Sequence, residues 1–172
     1  MKNAVWPNLF RGWNNNESET VYTLKQVPVF KGLSTREFSE LEKIVHHRSY
    51  SSGDFVFKIG APGEGFYTIM KGIVKITIGI GEENEKVLAE LKEGDFFGEL
   101  AFFDDEPRSG NAISTEDSEL IGFFTPDLLS LQGRNPEMVN KILFNLGGIL
   151  GERLRSTNRL LIEAQAGQTN EK

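Results

Sequence analysis

Glu99 and Arg108 stand nine residues apart in the stretch Asp95-Phe96-Phe97-Gly98-Glu99-Leu100-Ala101-Phe102-Phe103-Asp104-Asp105-Glu106-Pro107-Arg108-Ser109-Gly110-Asn111-Ala112. The guanidinium of Arg108 is a planar fork of donors able to hold two oxygens of one phosphate, and the Ser109 hydroxyl beside it is a further donor. Pro107 stiffens the approach to the arginine. Gly98 and Glu99 follow two aromatic residues, and Glu99 to Phe103 fits one short helical turn. The first amides of such a turn lack partners within it and favour an anion. An ionised Glu99 only accepts hydrogen bonds and suits a sugar hydroxyl. A carboxylate for ribose, a guanidinium for phosphate and amides between them make a cradle for a nucleotide monophosphate.

The same residues admit plainer roles. Glu99 and Arg108 alone are equally consistent with a surface ion pair that adds little. Phe96, Phe97, Phe102 and Phe103 are the composition of a core rather than of a ligand stack. Asp104-Asp105-Glu106 raises paired-carboxylate hydrolysis or a metal site, but adjacent acids in a turn before proline are usually solvated, and no histidine is near them in sequence. His46 and His47 are the only histidines and fall where the first helical pattern ends, a position that favours a cation. A metal enzyme on a small barrel needs several histidines on its strands, and no nucleophile motif surrounds either one.

The elements that must position this cradle are short strands. From Tyr50 to Phe124, apolar or alternating runs (55–57, 66–70, 73–80, 87–91, 112–113 and 120–124) are separated by glycines at 53, 60, 63, 65, 72, 79, 81 and 94. Many short strands at regular spacing predict a sandwich, jelly roll or barrel. Ahead of them, Ser34 and Glu37 have capping-box spacing, and Phe38, Leu41, Ile44 and Val45 share a helical face. Behind them, Thr125-Pro126-Asp127 and Asn135-Pro136-Glu137 are cap-then-proline starts. The second opens a long helix carrying Val139, Ile142, Leu143, Leu146, Ile149, Leu150, Leu154, Leu160 and Leu161, expected to run to about Glu163. Gly147, Gly148 and Gly151 inside it each cost about 1 kcal/mol relative to alanine and mark a close helix approach or a soft point. Residues 1–26 read as an N-terminal arm with Trp6, Phe10 and Trp13 available for docking, 27–163 as one domain, and 164–172 as a disordered tail.

The 172 residues allow one domain with a real core. A net charge of −6 weakens a nucleic-acid reading, since no Lys/Arg run supplies a basic face. Cysteine is absent, which removes disulfides, thiolate metal sites and iron–sulfur sensing. No apolar run of the length needed to span a bilayer occurs, and the N-terminus has no secretory h-region. A soluble, cytoplasmic protein with no membrane contact is the expectation.

The 95–112 segment resembles the phosphate-binding cassette of the cyclic nucleotide-binding domain family, F-G-E-L/I-A followed by P-R-S/T/A. The likeness extends upstream through Gly53-Asp54, Ile59-Gly60, Phe66 to Lys75 and the Leu91-Lys92-Glu93-Gly94-Asp95-Phe96 lead-in, covering roughly 27–163. The resemblance implies a mainly β fold, a double-stranded β-helix (jelly-roll) barrel with a short N-terminal helix and a long C-terminal helix. It implies that Arg108 grips a cyclic phosphate and Glu99 the ribose 2′-hydroxyl. Gly98, Leu100, Ala101 and Ser109 would add amide or hydroxyl donors, while Phe57, Ile76 and Leu88 would line the base side. Two positions depart from the family pattern: Gly110 stands where many members have alanine, and Asn111 where an apolar residue or threonine is common. Ser109 fits either purine, with cyclic AMP favoured over cyclic GMP.

By the same resemblance the chain is expected to be a sensor and not an enzyme, with no cofactor and no metal beyond its cyclic mononucleotide ligand. Family transcription factors carry a DNA-binding module after the long helix; only nine residues follow Glu163, so none is expected here. Output would pass through the C-terminal helix, whose Leu146, Ile149, Leu150 and Leu154 face is the candidate contact for a homodimer or an unknown protein partner. Arg153, Thr157 and Asn158 are all polar enough to meet the purine edge. A ligand-blind interaction module and a small hydrolase using the acidic turn are the alternatives.

Overall fold

The computed structural model describes residues 17–79, 85–104 and 106–169. Among the described residues, eight strands follow one another as β1 (His46–Tyr50), β2 (Phe55–Phe57), β3 (Gly65–Lys71), β4 (Val74–Ile78), β5 (Lys86–Leu91), β6 (Phe96–Phe97), β7 (Asn111–Ser114) and β8 (Ser118–Phe124). They form two four-stranded sheets, ordered β1-β8-β3-β6 and β2-β7-β4-β5, with every pairing antiparallel. The chain passes repeatedly from one sheet to the other, giving the jelly roll. Four helices flank them: α1 (Glu19–Gln26), α2 (Thr35–Glu42), α3 (Thr125–Arg134) and α4 (Pro136–Thr169).

Period-two alternation divides the apolar side chains of the first sheet between two cores. Phe66, Met70, Phe96, Ile121 and Phe123 face the helices, meeting Leu24, Phe30 and Leu41 from the N-terminal side and Leu131, Met138, Ile142 and Leu146 from the C-terminal side. Their sequence neighbours Ile69, Phe97 and Leu120 turn the other way and join Val74 and Ala112 between the sheets. A strand buried on both faces reads as a continuous apolar run, as 66–70 does. Of the four phenylalanines expected in the core, Phe96 and Phe97 are buried and Phe102 packs against it, whereas Phe103 is half exposed.

The capping box at α2 forms as its spacing predicts: Glu37 N donates to Ser34 Oγ at 3.3 Å and Ser34 N to Glu37 Oε2 at 2.6 Å. Asn135 caps α4, its Oδ1 accepting from Met138 N at 3.2 Å. At α3 the carboxylate of Asp127 reaches back to Phe124 N at 2.9 Å, so Phe124 rather than Thr125 is the cap residue.

Three local expectations give way. His46 and His47 do not end a helix: α2 stops at Glu42, and the β-branched Ile44 and Val45 lead into β1, where His46 to Tyr50 pair with β8 throughout. Residues 19–26, read as part of an arm, form α1, capped by Ser18 and burying Val21 and Leu24 in the helix-side core. Helix α4 continues past Glu163 to Thr169 because Ala164, Gln165 and Ala166 are good helix formers. Trp6, Phe10, Trp13, Gly81, Asp105 and residues 170–172 lie outside the described residues. Of the glycines of α4, Gly147 and Gly148 have open space where a side chain would stand, and Gly151 meets only the Arg155 guanidinium.

Candidate functional site

Gly98 begins the cassette with φ of +86°, left-handed backbone that L side chains rarely adopt. A Cβ there would come within 2.7 Å of Arg108 Nη1 and 3.3 Å of the Gly65 oxygen, so only glycine fits. The expected helical turn follows as a 3-10 turn over Glu99–Phe102. Opposite it, Arg108 is anchored through its backbone: its N–H donates to the Ala61 oxygen and its carbonyl accepts from Gly60 N, both at 2.8 Å.

The Arg108 side chain runs inward, with 9% of the residue exposed. Nη1 donates to the Gly98 oxygen and Nη2 to the Gly65 oxygen, each at 2.8 Å, and the guanidinium carbon lies 4.2 Å from the Phe57 ring centre. Nε is buried and has no partner. Burial pulls the arginine below its usual pKa, and Tyr67, Glu64 and Glu99 act in the opposite direction. None of the ion pairs among the described residues includes Arg108. A buried charge whose hydrogen bonds go only to carbonyl oxygens is costly, and an anion within reach offsets that cost.

Arg108 opens on a cleft of about 1040 Å³. Gly98, Glu99, Leu100, Ala101 and Ser109 line it on the cassette side; Phe57, Ile76 and Leu88 line it from the strands, together with Ile78, Ala89 and Leu91. All nine residues singled out in the sequence therefore border one cavity. Asp104 and Glu106 stand at the same cavity. Among the described residues no group of three or more histidine, aspartate or glutamate side chains is arranged to hold a metal ion. His46 contacts Asp127 at 3.2 Å and His47 contacts Thr20 at 3.1 Å. Neither histidine borders the cleft.

Helix α4 closes the remaining side with Ile149, Arg153, Thr157 and Leu160. Of the three polar residues left open on this helix, Arg153 and Thr157 face the cleft. Asn158 lines a separate surface groove with Arg155 and Arg159. Arg153 pairs with Glu99, which is 5% exposed, and its Nη2 donates to the Phe96 oxygen at 3.3 Å. Glu99, expected to face a sugar hydroxyl, is thus held by the helix through one carboxylate oxygen. Charge alternation could have suggested this pairing, but a contact spanning 54 residues has no local signature.

Two further features escape sequence reasoning. The β4–β5 ladder pairs Ile76 with Ala89 but Thr77 with Val87, leaving Leu88 as an extra residue. Asn111 and Thr77 join in a side-chain hydrogen bond at 3.2 Å beneath the cassette. The only hint of the second is the unusual asparagine itself.

The chain belongs to the cyclic nucleotide-binding domain family, whose profile matches residues 47–135. It is 32% identical over 135 residues to the cyclic AMP receptor protein of Thermus thermophilus, covering 78% of this chain and 61% of that protein. The crystal structure of the Thermus thermophilus catabolite activator protein superposes with a TM-score of 0.69, at 32% identity, over 78% of this chain and 61% of that one. A cGMP-dependent protein kinase of Drosophila melanogaster (isozyme 2 forms cD5/T2) is 37% identical over 91 residues, 52% of this chain and 10% of the kinase. The chain therefore spans under two thirds of the bacterial relative and a tenth of the kinase. Among the described residues no helix is long and apolar enough to cross a membrane.

Proposed function

We propose that the cleft binds a 3′,5′-cyclic mononucleotide, with cyclic AMP favoured, and that occupancy repositions α4 to alter a dimer or partner contact. The observation that carries this reading is Arg108: a residue 9% exposed, its guanidinium with no carboxylate partner among the described residues and with Nε unpartnered, at the wall of a cavity. The ligand's phosphate supplies the missing anion, and the apolar strand wall of Ile76, Ile78 and Leu88 takes the base. Cyclic AMP is preferred because the bacterial relative is named for it, while the Drosophila kinase is named for cyclic GMP.

Coupling to α4 runs through Glu99. Its carboxylate borders the cleft and pairs with Arg153, so a ribose hydroxyl donating to Glu99 would change the helix's own anchor. A ligand shifts the helix only by the difference in its affinity for the two arrangements.

Ligand-induced stabilisation tests this directly, since a ligand at about 100 times its Kd adds about 2.7 kcal/mol to a state it binds exclusively. Cyclic AMP should raise Tm. If neither cyclic AMP nor cyclic GMP at about millimolar concentration moves Tm, the domain is a ligand-blind interaction module. That second reading draws on one observation: Arg108 and Glu99 already have partners of their own within the protein.

A further inference from the structure

Gly110 and Asn111 follow directly on Arg108 and Ser109, where the cassette runs into β7. A Cβ on Gly110 would stand 2.7 Å from the Thr77 oxygen, so glycine lets the end of the cassette close against β4. Asn111 pairs with Thr77 in the β4–β7 ladder, and its side chain works in two directions. Oδ1 accepts from Ile59 N at 2.9 Å, and Nδ2 donates to Thr77 Oγ1 at 3.2 Å. Thr77, fully buried, donates in turn to the Glu85 carboxylate at 2.7 Å.

These bonds form a polar chain between the two sides of the cleft. At one end is the 59–61 loop, which holds the Arg108 backbone through Gly60 and Ala61. At the other is Glu85, the residue before β5, three positions ahead of the bulged Leu88. Strict alternation would turn only one of Leu88 and Ala89 into the cleft; the bulge turns both. Asn111, Thr77 and Glu85 thus link the loop behind Arg108 to the start of β5, and none of the three borders the cavity.

We propose that Asn111 and Thr77 are positioning residues that hold the Leu88–Ala89 wall at the spacing a bicyclic base requires, and so set preference for purine over pyrimidine cyclic nucleotides. This rests on the cyclic-nucleotide reading above. Contact with an apolar wall scales with the ring area it touches, whereas the phosphate grip is common to all cyclic nucleotides. A wall that drifts loses the larger ring's contacts first.

The test measures Kd for cyclic AMP and cyclic CMP on the full chain and three variants. Thr77→Val keeps the shape and removes the hydroxyl; it should weaken cyclic AMP by about tenfold and cyclic CMP by less than about threefold, collapsing the ratio. Thr77→Ser should restore the ratio. Glu85→Ala, at an exposed position, removes the last link without touching the core and should move the ratio the same way by about threefold. An unchanged ratio, or an equal loss for both ligands, overturns the proposal while leaving the binding function standing. Failure of the unaltered chain to bind either nucleotide overturns both.

Discussion

Arg153, midway along α4, donates to the carboxylate of Glu99 in the cassette, so the long helix and the cassette side of the cleft share one ion pair. Glu99 is buried and Arg153 half exposed, which makes the arginine the partner that can move. On the proposed function, a ligand contact at Glu99 would reach the helix through this pair, without any intervening element.

Arg153→Ala should therefore separate binding from response. Cyclic AMP is expected to bind within about tenfold of the unaltered affinity, since Arg108 remains. Amide hydrogen exchange over residues 150–160, slowed by ligand in the unaltered chain, should become insensitive to ligand in the variant. Ligand protection that persists in Arg153→Ala would show that α4 is coupled by another route.

The sugar contact has its own signature. The unaltered chain should bind 2′-deoxy cyclic AMP about tenfold more weakly than cyclic AMP, the loss of one hydrogen bond to a charged acceptor. Glu99→Ala should bind the two ligands alike. Continued discrimination in that variant would place the hydroxyl contact elsewhere.

Acid stability reports on the helix-side core. Burial tends to raise the pKa of Glu37, but Lys141 Nζ at 2.8 Å and the Ser34 amide and hydroxyl outweigh it and hold the carboxyl below its ordinary 4.5. A carboxyl whose pKa is lower in the folded state contributes stability above its unfolded value, and that contribution is lost as pH falls through the folded one. Tm should drop between about pH 6 and about pH 3, and Glu37→Gln should lower Tm at the upper end and flatten this dependence. An identical pH slope in the variant would assign the acid sensitivity to other groups.

Much of this architecture is visible in the residues themselves, for physical reasons that can be named. The strands show because their apolar runs are short, β-branched or aromatic and bounded by glycines, and 66–70 is buried on both faces. The cassette residues show because a glycine, an acid and an arginine stand close together in one segment, whereas Phe57, Ile76 and Leu88 follow only from the family resemblance. Helix α1 was obscured by its polar surroundings, although Ser18, Val21 and Leu24 carry its cap and buried face. The start of β1 is hidden because Ile44 and Val45 continue the helical spacing of Phe38 and Leu41. The Arg153–Glu99 pair, the Leu88 bulge and the Asn111–Thr77 bond depend on where distant strands meet, and local patterns hold no record of that.

Helix α4 has two faces with different expected roles. Leu146, expected on the contact face, is instead fully buried in the helix-side core, and Leu146→Ala should cost about 2–5 kcal/mol at any protein concentration. Leu154 is 61% exposed, so Leu154→Ala should stay within about 0.5 kcal/mol in a monomer. If the proposed homodimer forms along this helix, Leu154→Ala should instead lower Tm more at high concentration than at low, and shift the sedimentation equilibrium towards monomer. No effect of Leu154→Ala on either readout would remove that residue from any dimer contact.

Titration calorimetry of the unaltered chain and Arg108→Leu with cyclic AMP bears most directly on the ligand site. The unaltered chain should bind one nucleotide per chain, and the variant, folded by circular dichroism, should lose affinity by about 100-fold or more, the worth of charge-assisted hydrogen bonds to one phosphate. Equal affinity in the two proteins would contradict the assignment of Arg108 as the group that holds the ligand.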